Sequence, residues 1–164
     1  MQDVFLFSET IARNIAFYKP DASMDEIIHA AKVAQAYEFI QELPDGFETI
    51  IGERGMGLSG GQKQRLSIAR AIAKHPEIYI FDDSFSALDY KTDVALRKEL
   101  KEKTAGATVL IVAQRISTIL HAEQIIVLDE GKIVGKGTHE ELLQSCEVYQ
   151  QIALSQLSKE ELGK

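Results

Sequence analysis

Two short β-rich runs, IYIF (78–81) and TVLIVA (108–113), lack the alternation with polar residues that a half-exposed strand shows. Such runs are expected of strands buried on both faces, a condition met mainly in parallel sheets covered by helices. Between them lies a helical stretch from about Tyr90 to Lys103, with Asp89 placed as its N-cap and Gly106 beyond its end. Strand, helix and strand in that order predict a parallel α/β sheet. The first run leads into Asp82 and Asp83, and the stretch closes on Ser86, Ala87, Leu88 and Asp89. A carboxylate at the C-terminal end of a parallel strand stands where such sheets bind ligands.

The segment before the sheet reads as helical. Ser23 and Glu26 form a capping box ahead of IIHAAKVAQAYEFIQEL, expected as one helix that PDG (44–46) stops. The Gly-rich IGERGMGLSGG (51–61) follows, and then a second helix over QKQRLSIARAIAKHP, with Leu66, Ala69, Ile72 and Ala73 on one face and Pro76 beyond its end. After the sheet runs, QIIVLDEGKIVGKG (124–137) predicts two strands joined by a turn at DEG, and Thr138 with Glu141 caps a closing helix.

Composition narrows the partners. At 164 residues and 45% apolar, the chain is long and apolar enough for a core. A net charge of −7 argues against nucleic acid, which rewards a dense basic surface. The single cysteine, Cys146, fits a reducing compartment. No apolar run approaches bilayer length, and no basic-then-apolar leader follows Met1. A soluble cytoplasmic protein is expected, and if it serves a membrane, something else must hold it there.

The chemistry concentrates in LSGGQKQR (58–65). A Ser-Gly-Gly turn opening a helix offers backbone N–H groups, the positive end of the helix dipole and a hydroxyl at one point, an arrangement suited to phosphate. Alone, the turn reads equally as an ordinary helix cap. Its neighbours decide the matter: LSGGQKQR, IYIFD (78–82), SALD (86–89), QDVFLFSETIARNI (2–15) and IIGERG (50–55) together resemble the ATP-binding domain of ABC transporters, and the exporter branch in particular.

That resemblance implies an incomplete P-loop NTPase, a RecA-like parallel sheet with an ABC-type helical subdomain. The helical subdomain is expected over about 8–75 and the C-terminal half of the core over about 76–164. It implies ATP and Mg²⁺ as cofactors. Asp82 and Gln2 would serve the metal, and Gln2 would also act as the Q-loop sensor. Leu58, Ser59, Gly60, Gly61 and Gln62 would cap an ATP held by a second ABC ATP-binding domain, while Ser86 to Asp89 form the D-loop that meets this partner. A transmembrane exporter domain would complete the assembly.

Three departures qualify this. No G-x-x-x-x-G-K-[ST] occurs, so the P-loop segment is expected outside this chain, and the isolated chain is expected neither to bind ATP tightly nor to hydrolyse it. Asp83 stands where hydrolytic members carry Glu, one methylene short of reaching an attacking water. Gln114, in TVLIVAQRIST, stands where the family has His; its amide donates a hydrogen bond but cannot take up a proton. Both substitutions fall on the catalytic positions for the chain's own ATP, while the turn serving the partner is intact. That split resembles the degenerate half of a heterodimeric exporter. The alternatives are a non-enzymatic interaction fragment, and a soluble ABC protein of DNA repair or translation. Without its P-loop strand the sheet is expected to be marginally stable in isolation.

Overall fold

A computed structural model describes residues 4–157. The chain forms two compact units, the first ending at Leu110 and the second beginning at Ile111.

In the first unit, helices α1 (Ile11–Ile15), α2 (Met24–Val33) and α3 (Tyr37–Gln41) precede α4 (Gly60–Ala73). Helix α4 packs against α1 and α2. The face expected from its spacing is the one buried: Leu66, Ala69, Ile72 and Ala73 are all within the core. Strand β1 (Ile78–Asp82), α5 (Tyr90–Lys103) and the start of β2 (Thr108–Val112) follow, and β1 lies beside β2 in a parallel pair. Asp89 caps α5, as its position before the helix predicts.

Two expectations are corrected. The single helix foreseen over 27–43 is broken after Val33. Gln35 adopts a left-handed backbone (φ 56°), its N–H donates to the Lys32 carbonyl at 3.0 Å, and the Ala36 N–H donates to the Ala31 carbonyl at 2.7 Å. These two bonds are the pair that closes a helix in a Schellman motif, a role usually given to glycine. Arg65 secures the break by donating from Nη1 to the Gln35 carbonyl at 2.6 Å, with its guanidinium over the Phe39 ring.

The strands are also not buried on both faces. Tyr79 and Phe81 of β1 are buried and stack on each other, with Phe85 against Phe81. Ile78 and Ile80 are 61% and 66% exposed, and Val109, Leu110 and Val112 of β2 are open as well. Among the described residues this sheet has two strands, so the apolar character that marks a doubly covered sheet stands uncovered on one side.

In the second unit, α6 (Ile116–Ile119) leads to the antiparallel hairpin of β3 (Ile125–Asp129) and β4 (Lys132–Gly137). Glu130 and Gly131, both at positive φ, make its turn, at the DEG expected to do so. Helices α7 (His139–Ser145), opened by the Thr138–Glu141 capping box, and α8 (Glu147–Gln156) close the unit. Its core gathers Ile116, Ile125, Val127, Leu142, Tyr149 and Ala153. Gly135 lets the hairpin approach α7, since a Cβ there would stand 2.8 Å from Cys146 Sγ. No helix among the described residues is long and apolar enough to cross a membrane.

The capping box at α2 carries a testable pH dependence. The Lys19 ammonium, then the Ser23 backbone N–H and hydroxyl, donate to the Glu26 carboxylate and push its pKa down to about 2 from 4.5. A depressed carboxylate contributes stability above its unfolded value and loses it as pH falls through the folded one. Unfolding free energy measured against pH is expected to fall between about pH 4.5 and 2, with a shallower slope in Glu26→Gln. Equal slopes in the two proteins would contradict this.

Candidate functional site

The Ser59 turn is built by the residues that open α4. Ser59 Oγ accepts from the Gln62 N–H at 3.2 Å, and Gln62 Oε1 accepts from the Ser59 N–H at 2.8 Å. This reciprocal box uses two of the N–H groups at the helix start. The N–H groups of Gly60 and Gly61 have no acceptor among the described residues. They stand at the positive end of a 14-residue helix, so an anion approaching the turn meets aligned N–H donors.

The turn after β1 lies directly beside it. Gly61 allows the approach: a Cβ built there would be 3.0 Å from the Ala87 carbonyl oxygen and 3.7 Å from Leu88 Cδ2. The two segments border an open concavity of about 350 Å³, which Arg65 and Thr92 also line. The predicted Ser59–Gly61 and Ala87–Asp89 segments are therefore neighbours. Leu58 precedes the cap, and Ser86 Oγ accepts from Gln64 Nε2 of α4 and donates to the Asp83 carbonyl.

Asp82 ends β1 exposed to solvent, whereas Asp83 is half-buried and holds a left-handed backbone at φ 49°. Asp89 is engaged locally: its carboxylate accepts from the Thr92 hydroxyl at 2.7 Å and the Thr92 N–H at 3.0 Å, which hold its pKa below the ordinary value. No group of three or more metal-ligating side chains occurs among the described residues. Mg²⁺ is commonly bound through one or two carboxylates together with substrate phosphates, and Asp82, at the end of β1, is a carboxylate of that kind. Gln2 lies outside the described residues.

Gln114 belongs to the second unit and is exposed. Its segment is fixed from α8, where Gln156 Nε2 donates to the Gln114 carbonyl at 2.8 Å and Gln156 Oε1 accepts from the Ile116 N–H at 2.8 Å. Sequence reading missed Gln156, because a bond across some forty residues leaves no local pattern.

It also missed two residues of α4. Gln64, 8% exposed, reaches the turn after β1. Arg70, 7% exposed, donates from Nε to the Asn14 carbonyl at 2.9 Å, from Nη2 to Asn14 Oδ1 at 3.0 Å and from Nη1 to the Phe5 carbonyl at 3.0 Å. Phe7 and Phe17, themselves stacked, face its guanidinium. Beside this cluster lies a second open groove, bordered by Phe7, Glu9, Arg13, Phe17 and Pro20, of about 460 Å³.

These features make a mixed α/β fold with a parallel strand pair and a helical block, consistent with the P-loop NTPase-like class. The structure superposes on a bacterial Atm1-family ABC exporter with ATP bound, with a TM-score of 0.91 and 39% identity over 96% of this chain. The ABC transporter family matches residues 1–86, and the chain belongs to that family. It is 53% identical over 152 residues to the ABC transporter ATP-binding protein YknU of Bacillus subtilis, covering 93% of this chain. It is 50% identical over 151 residues to the ATP-dependent lipid A-core flippase of Legionella pneumophila, covering 92% of this chain. The chain spans about a quarter of each relative's length, 26% of both proteins and 28% of the solved exporter chain.

Proposed function

We propose that this chain is part of the ATP-binding subunit of an ABC exporter and couples ATP binding and hydrolysis at a domain dimer interface to export across a membrane. The observation that carries this reading is the intact, capped Ser59–Gly61 turn, with two free N–H groups, beside a strand end that bears Asp83 instead of Glu. Leu58 to Gln62 cap an ATP held by a partner ATP-binding domain, and Ser86 to Asp89 meet that partner. Asp82, with Gln2, serves Mg²⁺ on the chain's own nucleotide, whose phosphates a P-loop elsewhere in the full protein cradles. Mg²⁺ there would neutralise charge on the phosphates. Asp83 and Gln114 make this second site hydrolytically weak, so the partner is a different chain with a competent site of its own.

The helical subdomain over about 8–75 and the core half over about 76–164 divide the work. The aromatic groove at Phe7 and Phe17, with Phe5 and Tyr18 exposed beside it, supports docking of a transmembrane domain from the cytoplasmic side.

The test uses the full-length protein assembled with its partner, the partner's own catalytic carboxylate being removed so that turnover reports the site of this chain. Near-background hydrolysis is expected, rising about 10²-fold with Asp83→Glu and Gln114→His combined, within the range for restored general-base assistance. Full hydrolysis from the unaltered chain in that background would overturn the degenerate-site reading.

A further inference from the structure

The strand-end turn after β1 is held from the side by a single amide. Gln64 Nε2 donates to the Asp83 carbonyl at 3.3 Å and to Ser86 Oγ at 3.2 Å, and Gln64 Oε1 accepts from the Ala87 N–H at 3.0 Å. Both N–H groups and the carbonyl of the amide are used. The side chain is buried, so each of these bonds replaces one that water does not supply.

The residues it grips are the ones that need gripping. Asp83 is left-handed, a conformation that an L-residue other than glycine takes at a cost. Ser86 Oγ adds a bond back to the Asp83 carbonyl at 3.0 Å, closing a small ring of polar contacts around that peptide. Ala87, whose N–H the Gln64 carbonyl takes, is the residue whose own carbonyl lies against Gly61. Gln64 and the Ser59–Gly61 turn stand on one helix, so the amide fixes the spacing between the two segments that border the concavity.

We propose that Gln64 is a positioning residue for nucleotide turnover: it clamps the Asp83–Ala87 turn and sets its register against the Ser59–Gly61 turn. Its bonds run to the backbone of Asp83 and Ala87 and to the Ser86 hydroxyl, and it acts through them. The link to turnover rests on the ATPase reading above, whereas the clamp does not.

The test compares Gln64→Met and Gln64→Glu with the unaltered full-length protein in its assembled transporter. Methionine keeps the length and removes all three bonds. Glutamate keeps an acceptor for Ala87 and loses the donor to the Asp83 carbonyl. In amide hydrogen exchange, the peptide covering 83–89 is expected to exchange about tenfold faster in Gln64→Met, with α4 peptides unchanged, as fits the loss of a buried hydrogen bond or two. Gln64→Glu is expected to fall between. Turnover per folded molecule at the partner's site is expected to drop about tenfold in Gln64→Met, with KM for MgATP within about twofold, because other residues hold the nucleotide. Unchanged exchange at 83–89 in both variants overturns the clamp, whatever turnover does. Faster exchange with unchanged turnover overturns its link to hydrolysis. An unaltered protein with no ATPase activity defeats the ATPase reading and the link to turnover with it, while the exchange result still decides the clamp. Should Gln64→Met melt early, Gln64→Glu carries the same comparison.

Discussion

Replacing Arg70 by methionine is expected to lower the stability of the first unit by about 3–5 kcal/mol, read as a shift in urea midpoint at constant m-value. The guanidinium is buried with no carboxylate partner among the described residues; it is held by two backbone carbonyls, the Asn14 side chain and two aromatic faces. Burial pulls its pKa below the usual arginine value, the direction expected for a desolvated cation. Methionine fills much of the volume but leaves the Phe5 and Asn14 carbonyls without their donor, each worth about 1–3 kcal/mol when stranded in a core. The loss spreads, because Asn14 Nδ2 in turn donates to the Phe7 carbonyl at 3.0 Å and the Thr10 carbonyl at 3.1 Å. Arg70→Lys keeps the charge but not the three-way fork, so it is expected to recover less than half of the deficit. A loss under about 1 kcal/mol in Arg70→Met would show that these bonds are replaceable by water.

Gly61→Val is expected to reduce ATP turnover at the partner's site of the assembled transporter by about 10²-fold or more, the scale seen when an oriented N–H donor is lost from an anion site. The cause is steric. A Cβ at position 61 stands 3.0 Å from the Ala87 carbonyl oxygen, so valine forces either the strand-end turn or the start of α4 to move. Either movement displaces the Gly60 and Gly61 N–H groups relative to the nucleotide they are proposed to cap. Gly61 itself lies near the surface, so the melting temperature is expected to change little by comparison. Turnover within about threefold of the unaltered protein would mean that the turn does not cap a reacting phosphate.

Much of the fold was legible because several of its devices are local. Ser23 with Glu26, and Thr138 with Glu141, announce their helices by a three-residue spacing, and each forms the reciprocal pair. Asp89 before a helical pattern and DEG between two apolar runs are equally short-range. The Ser59–Gly61 turn was visible for the same reason. Its approach to Ala87 was not, since that depends on how α4 and β1 pack.

The misses follow from distance and from context. The break at Gln35 carries no glycine to mark it and is secured by Arg65, thirty residues away in sequence. Gln64 and Arg70 sit among helix-forming neighbours, and their reach into other segments leaves no trace in local spacing. The burial expected on both faces of β1 was drawn from apolar content, which records what the strand is suited to contact. Ile78 and Ile80 show that the described residues supply one of the two faces.

The left-handed backbone at residue 83 has a consequence for which carboxylate occupies it. Aspartate tolerates that conformation better than most side chains, because its short polar arm finds local hydrogen-bond partners. Glutamate, one methylene longer, does so less readily, and a hydrolytic site with this turn would keep its reach only by bearing the extra strain. Shortening the side chain thus relaxes the main chain and retracts the carboxylate in one step. At this position conformational ease and chemical reach oppose each other, and this chain has settled on ease.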